Sequence, residues 1–414
     1  LHLDAAFSGL SRDIPADFAE RLRTATFTAF RRLLDLCERE SPDFLLLAGD
    51  VYNQEDASVS AQLALRDGFR RLESLSIPVF LVHGNHDPLA SRLRSVRWPG
   101  NVTVFGELPD AVPVFRKGEG TPLAIIHGAS HASGRETRNL AALFRRTEAC
   151  GLHVGLLHAT PGDADGVARY APFSQGDLKA SGMDYWALGH IHDRREVCRE
   201  PLAAYPGCTQ GLHINEPGEK GCLLVTAEAR PDGGYAVRTS FRPLGPAVWK
   251  TLDMDLGGAA SLDELENRLR TGLDRAAAEV WSGCEMLLVR LRLQGRTELD
   301  GLLRKGTTCA ELADRLREGG NGVPRIWIKD IDVATRPCVE WGALLEREDL
   351  LGEVFRLSEA ARTASGLQAL REGPLAPLFA HARAGKALEP LTDEELARLL
   401  DDAESLCLDL LEND

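Results

Sequence analysis

Five short segments of the chain carry histidine, aspartate or asparagine where an apolar, strand-like run ends. They are LHLD at 1–4, AGDVYN at 48–53, GNHD at 84–87, LLHAT at 156–160 and GHIH at 189–192. Imidazole nitrogens and carboxylate or amide oxygens are ligands for divalent metal ions. None of the segments holds a cysteine, which favours manganese, iron or a non-structural zinc. These residue types predict a metal centre.

Each segment alone indicates little, because a histidine at a strand end is usually a polar cap. Together they indicate more, since the carboxyl ends of parallel strands meet at one edge of a sheet, where α/β proteins bind ligands. Residues two apart in an extended segment face the same way. His190 and His192 should therefore both point to that edge, while Ile191 points away into packing.

Strands and helices alternate over the first 240 residues, which predicts an α/β architecture. Residues 17–40 and 58–76 show helical spacing of apolar side chains. FLLLAGD and PVFLVHGNHD have the composition of buried strands that end in loops. The later runs AAYPG, GCLLVTAE and YAVRTSFRPL predict a sheet that closes against itself. A two-sheet sandwich flanked by helices fits this order better than one open sheet.

Changes in pattern predict three domains. The first spans 1–245 and ends near PLGPA. Strands and helices then repeat over 246–340, which predicts a small α+β domain. From 341 to 414 the chain is helical, with breaks near 373 and 390.

Composition limits the classes of protein. The 414 residues are 44% hydrophobic and 27% charged, as in globular proteins, and no apolar run has the length of about 18 residues that a membrane span needs. Nine scattered cysteines without C-x-x-C argue against a disulfide framework and favour the cytoplasm. The net charge is −14, which does not suggest a general nucleic-acid binder.

The order GD, GNHD, a single histidine after a strand and GHIH resembles the calcineurin-like metallophosphoesterases. The longer runs GNHDPL, WPGNVTVFGE, DYWALGHIH and YPGCTQGLHINEPGEKGC resemble the nuclease subunits of SbcCD-type DNA repair exonucleases. The resemblance implies a four-layer β-sandwich flanked by helices over 1–245. It also implies a capping domain over 246–340 and a helical C-terminal region.

The resemblance further implies two divalent metal ions, with manganese expected. Carried over by position, the ligands are His2, Asp50, Asn85, His158, His190 and His192. His2 and His192 would hold one ion, the other three would hold the second, and Asp50 would bridge both. The family pattern opens with Asp-x-His, so we expect a further aspartate directly upstream of Leu1.

His86 and Asp87 are the predicted catalytic residues. A water activated between the two metals would attack a phosphodiester, and His86 would protonate the leaving oxygen or stabilise the transition state. Asp87 would orient His86 or, equally, cap the loop.

The predicted substrate contacts follow two of the strand ends. They are Arg92, Arg94, Arg97, His127 and Arg135, which could touch phosphates or simply be solvated. We expect His131 and His153 at the surface.

The partners implied by the resemblance are DNA, an SMC-like ATPase subunit and a second copy of the chain. The apolar spacing of LARLLDDAESLCLDLL suits a docking helix but equally suits packing on the chain's own core. Two other functions remain open: a phosphodiesterase for a small nucleotide-type substrate, which the acidic balance favours mildly, and a non-catalytic scaffold.

Overall fold

The computed structural model describes residues 1–10, 14–53, 58–91, 96–163, 168–231, 233–318, 322–338, 341–381 and 391–412. The helices are α1 Ala16–Arg23, α2 Ala25–Glu40, α3 Val59–Ser74, α4 Gln175–Ala180, α5 Leu262–Glu279, α6 Asp300–Leu303, α7 Thr308–Glu318, α8 Trp341–Leu345, α9 Leu350–Ala361, α10 Ala364–Glu372, α11 Ala376–Ala380 and α12 Asp393–Glu412. The strands are β1 Leu45–Ala48, β2 Val79–Val82, β3 Val102–Val104, β4 Asp110–Val114, β5 Ala124–Ala129, β6 Leu152–His158, β7 Tyr185–Gly189, β8 Arg195–Arg199, β9 Leu202–Tyr205, β10 Gly221–Ala229, β11 Tyr235–Pro243, β12 Ala247–Asp255, β13 Met286–Thr297 and β14 Arg325–Pro337.

The chain forms two compact units. Unit 1 comprises 1–252, 273–290 and 317–329, and unit 2 comprises 253–272, 291–316 and 330–414.

Unit 1 contains two sheets built on parallel strands and a two-stranded antiparallel sheet of β10 and β11. The smaller of the first two has the order β1-β2-β3, and the larger has the order β4-β5-β6-β7-β9-β8. Strands β5, β6, β7 and β9 run parallel, whereas β4 and β8 are antiparallel edges. All four residues of β2 are buried, because both faces of the sheet are covered.

Four layers stack in unit 1. Phe30 of α2 and Phe69 of α3 pack on Leu81 of the smaller sheet, and the other face of that sheet meets the larger sheet. The outer face of the larger sheet packs under the Leu140–Phe144 segment and α4. This arrangement confirms the predicted sandwich flanked by helices.

The helix predicted over 17–40 is two helices. The break falls at Thr24, whose φ of −102° and ψ of 2° depart from helical values. Its hydroxyl donates to the carbonyl oxygens of Glu20 at 3.1 Å and Arg21 at 3.3 Å. This short local hydrogen bonding competes with the helical pattern, and apolar spacing carries no sign of it.

Unit 2 contains the helices of the C-terminal region. Leu351 and Phe355 of α9 pack against Leu408 of α12, which confirms that this region is helical. Arg362 donates at 2.9 Å to Glu404, a residue that is 2% exposed. Within the described part of the chain, no helix has the length and apolar character needed to cross a membrane.

Candidate metal centre

The predicted ligands meet at the carboxyl ends of the parallel strands. Asp50 follows β1, Asn85 follows β2, His158 ends β6, and His190 and His192 follow β7. His2 joins them because its main-chain N–H donates to the Asp50 carbonyl at 2.9 Å. The sheet topology thus gathers residues that are up to 190 positions apart.

One half of the cluster is built around Asn85. Its Oδ1 lies 3.0 Å from His158 Nε2 and 3.2 Å from His190 Nδ1. His158 Nε2 is also 3.3 Å from Asp50 Oδ2. Ligand atoms of Asp50, His158 and His190 all lie within 4.8 Å of one another, a spacing that suits one cation.

The other half contains the remaining two histidines. His2 Nε2 lies 3.1 Å from His192 Nε2 and 3.6 Å from Asp50 Oδ2. Asp50 therefore contacts both halves through the same oxygen, as a bridging carboxylate would. The geometry matches the predicted division of the residues; their roles as ligands stay a prediction.

The outer nitrogens of three histidines contact oxygen acceptors. His158 Nδ1 lies 2.9 Å from the Ala48 carbonyl, and His190 Nε2 lies 3.1 Å from the Ala168 carbonyl. His192 Nδ1 lies 2.5 Å from Glu216 Oε1. Because these acceptors cannot donate, each outer nitrogen can donate to its partner and leave the inner nitrogen as a lone pair for a metal ion. Without a metal ion, the inner nitrogens of His158 and His190 face the acceptor oxygens of Asn85 and Asp50. Such a donor set fits divalent metal ions.

The backbone is strained at three cluster residues. The φ angles are 48° for His2, 49° for Asp50 and 101° for His190. Residues other than glycine rarely adopt positive φ angles. Two glycines allow close approach: a Cβ on Gly84 would lie 2.2 Å from Asp50 Oδ1, and one on Gly189 would lie 1.8 Å from the Ala48 carbonyl oxygen. Strain of this kind gathers at functional sites.

Burial and charge set the protonation of the cluster. Burial lowers the pKa of His190 to about 4 and lowers the pKa of His2 well below its ordinary value. Burial raises the pKa of Asp50, but the charge and the hydrogen bond of His158 outweigh it and hold that pKa well below its usual range. At neutral pH His2 and His190 are neutral and Asp50 is ionised, the forms that bind metals. Burial lowers the pKa of His158, but Asp50 outweighs it and raises that pKa above its ordinary value.

His86 lies exposed at the rim of the cluster. Its ring centroid is 5.1 Å from that of His2, and its main-chain N–H donates to Asp50 Oδ1 at 3.0 Å. Its Nδ1 lies 3.0 Å from the Asn53 carbonyl oxygen. A carbonyl only accepts, so Nδ1 carries the proton and Nε2 is left for other contacts.

Asp87 is fully buried and contacts the main chain instead of His86. Its carboxylate accepts from the N–H groups of Gly84 at 2.8 Å, Val51 at 2.9 Å and Asp50 at 3.2 Å. Asp87 therefore joins the two loops that carry Asp50 and Asn85. Of its two predicted roles, these contacts match the loop cap.

The structure describes three of the five predicted substrate residues. Arg92 and Arg94 lie outside the described residues. Arg97 and Arg135 are exposed. His127 is 3% exposed, and its Nε2 lies 2.9 Å from His153 Nδ1, inside the larger sheet.

The surface placement predicted for His131 and His153 is wrong, since both are 0% exposed. His131 follows β5, and its Nε2 lies 2.6 Å from the His158 carbonyl oxygen. Its position after a strand, like that of the other site histidines, is the signal that could have identified it. Glu216 was not predicted either, because nothing in the spacing of the sequence connects it with His192.

Cys208 forms a second group with His192 and Glu216. Burial raises the pKa of the Cys208 thiol to about 12, so it remains protonated at neutral pH. Metals bind the thiolate. Metal binding to this group would therefore have to release the thiol proton.

Two family models match the chain. The calcineurin-like phosphoesterase model matches residues 2–194, which contain all six predicted ligands. The model for the middle domain of the metallophosphoesterase YhaO matches residues 249–336.

The chain is also similar in sequence to individual proteins. The uncharacterized metallophosphoesterase YhaO of Bacillus subtilis is 36% identical over 77% of this chain and 76% of its own length. The DNA double-strand break repair protein Mre11 of Aeropyrum pernix is 27% identical over 63% of this chain and 64% of its own. Mre11 of Haloferax volcanii is 23% identical over 80% and 72%. With this geometry and these matches, the chain belongs to the calcineurin-like metallophosphoesterases.

Proposed function

We propose that this protein is a metal-dependent DNA nuclease, the exonuclease subunit of a DNA repair complex. The observation that carries the proposal is the convergence of His2, His158, His190 and His192 on Asp50 at one sheet edge. Relatives named as DNA double-strand break repair proteins support the choice of DNA.

Two divalent ions, with manganese proposed, would be held by the six ligands; they would polarise a phosphodiester and lower the pKa of a water. Asp50 contributes a negative charge to both halves of the site. Asn85 contributes a neutral oxygen between His158 and His190. The protein residues thus hold the phosphate and the water in a fixed geometry.

His86 supplies the proton in this proposal. Its exposed ring sits beside His2, and the Asn53 carbonyl holds Nδ1–H. Nε2 is therefore the atom that exchanges a proton with the leaving oxygen. The ring is positioned from the main chain of the Asp50 loop, so its orientation follows that of the site.

The test is hydrolysis by the full-length gene product with Mn²⁺. Single-stranded DNA, duplex ends and bis-p-nitrophenyl phosphate are assayed in parallel, beside His86→Ala. We expect DNA cleavage that falls about 100-fold or more in the variant. Cleavage of the small diester alone would move the assignment to a small-molecule phosphodiesterase. Metal binding without turnover of any substrate would favour a scaffold.

We also propose that the C-terminal helices dock an SMC-like ATPase and that the chain forms a homodimer. On α12 the side chains of Leu399, Leu406 and Leu410 are 47%, 58% and 65% exposed, which leaves an apolar face available. Replacing the three by glutamate should abolish co-purification of the ATPase while bis-p-nitrophenyl phosphate hydrolysis persists. The nine free cysteines support our proposal of a cytoplasmic location.

A further inference from the structure

We propose that Glu216 is a positioning residue that fixes the tautomer and orientation of His192 and thereby sets the metal affinity of the half-site formed with His2. This inference rests on the proposed metal centre and deepens it. Glu216 lies 24 residues beyond His192 on the loop before β10.

Three polar contacts surround the Glu216 carboxylate. Oε1 lies 2.5 Å from His192 Nδ1, and Oε2 accepts the main-chain N–H of Leu212 at 2.7 Å. His213 Nε2 lies 3.4 Å from Oε1. The residue is 7% exposed, so the carboxylate is held from more than one side in a place where water does not compete.

These contacts direct Glu216 towards His192 and the loop that follows it. Oε1 accepts a hydrogen bond from Nδ1, the outer nitrogen of His192, and Oε2 accepts one from the main-chain N–H of Leu212. The inner nitrogen, Nε2, is the atom that lies 3.1 Å from His2. Glu216 therefore acts on the site through His192.

His192 differs from the other two histidines in what supports it. Neutral main-chain carbonyls accept from His158 and His190, whereas a carboxylate accepts from His192. A carboxylate partner raises the basicity of an imidazole ligand more than a neutral carbonyl does. The half-site that contains His192 should thus depend on Glu216, and the half-site around Asn85 should not.

The experiment measures Mn²⁺ binding to the full-length gene product by calorimetry, for wild type and Glu216→Gln. Loss of such a partner lowers metal affinity about 10–100-fold. We expect one of two dissociation constants to rise by that factor while the other stays unchanged. Glu219→Gln is the matched control, because this exposed residue lies on the same loop and contacts the Trp281 N–H instead.

A second measurement follows the His192 ring in the metal-free protein. Long-range ¹H–¹⁵N spectra should show Nδ1–H in wild type. In Glu216→Gln they should show a shift toward Nε2–H, because an amide can donate to Nδ1. Unchanged affinities and an unchanged tautomer would overturn the inference and leave the proposed function standing. Failure of the wild type to bind two Mn²⁺ ions would instead overturn the two-metal centre.

Discussion

At the residue scale, adjacent side chains of the site have different surroundings. Asp87 accepts three main-chain N–H groups and is fully buried, whereas its neighbour His86 is exposed. Adjacent positions in GNHD therefore have different tasks. Sequence reasoning identified both residues, but only coordinates could show which contacts each one makes.

Asp87→Asn should lower the stability of the protein, whereas His86→Ala should lower its nuclease activity. An amide in place of the carboxylate leaves at least one buried N–H group without an acceptor, so we expect the free energy of unfolding to fall by about 3 kcal/mol. His86→Ala should change it by less than about 0.5 kcal/mol while removing DNA cleavage. Urea unfolding beside nuclease assays makes the comparison. A stable Asp87→Asn protein with slow turnover would restore the role of orienting His86.

Glu136 gives a prediction about pH. Hydrogen bonds from Arg138 lower the pKa of this carboxyl from an ordinary 4.5 to about 2. Because the folded value is the lower one, the stabilisation is complete above about pH 4.5 and is lost as pH falls towards 2.

The measurement is urea unfolding with chelator present, for wild type and Glu136→Gln. Arg138 is 45% exposed, so solvent screening limits the expected difference at pH 7 to about 1 kcal/mol. That difference should shrink between pH 4.5 and pH 3. A difference that stays constant over this range would show that Glu136 contributes through packing.

At the element scale, the sequence predicts those site residues that lie directly after the end of a strand. Apolar runs that stop at a polar residue locate Asp50, Asn85, His158 and His190, because parallel strands share an edge. Sequence patterns do not report contacts made by loops. His192 meets Glu216 across 24 residues, and the hydroxyl of Thr24 divides α1 from α2; neither contact leaves a periodic signal.

Unit 2 offers a test of helix packing. Arg362 donates to the buried Glu404 and to Asp401, and Ser358 donates to the same glutamate at 2.5 Å. Arg362→Met would leave Glu404 without its positive partner, which costs about 3 kcal/mol. We expect faster proteolysis within α12, with unit 1 unaffected. Arg362→Met with Glu404→Leu should restore protection; no rescue would contradict the pairing.

At the scale of the whole molecule, the negative net charge of the chain opposes the binding of the proposed polyanionic substrate. The chain carries −14 in total, and 16 acidic against 7 basic residues fall in 341–414. Most of the excess, −9, thus belongs to the C-terminal region, and the other 340 residues carry only −5. The proposed polyanionic substrate would therefore gain little attraction from the net charge of the chain.

Removal of the metals should abolish activity and preserve the fold. Asp87 already ties the Asp50 and Asn85 loops together, and Asp50 pairs with His158 without any ion. With metal at about 100 times its dissociation constant, binding adds about 2.7 kcal/mol. Chelation should thus lower the melting temperature by about 5–11 °C. Loss of the far-ultraviolet circular dichroism signal on chelation would contradict this expectation.

The hydrogen bonds by which Asp87 joins the Asp50 and Asn85 loops also affect which ion the proposed centre takes. A site whose loops are fixed beforehand pays little reorganisation for any one cation, and its histidine, amide and carboxylate donors accept several of them. Such a fixed arrangement of donors discriminates among these cations by the coordination geometry that each one prefers. The ion that the proposed centre takes would then depend on coordination geometry as well as on the supply of metal in the cell.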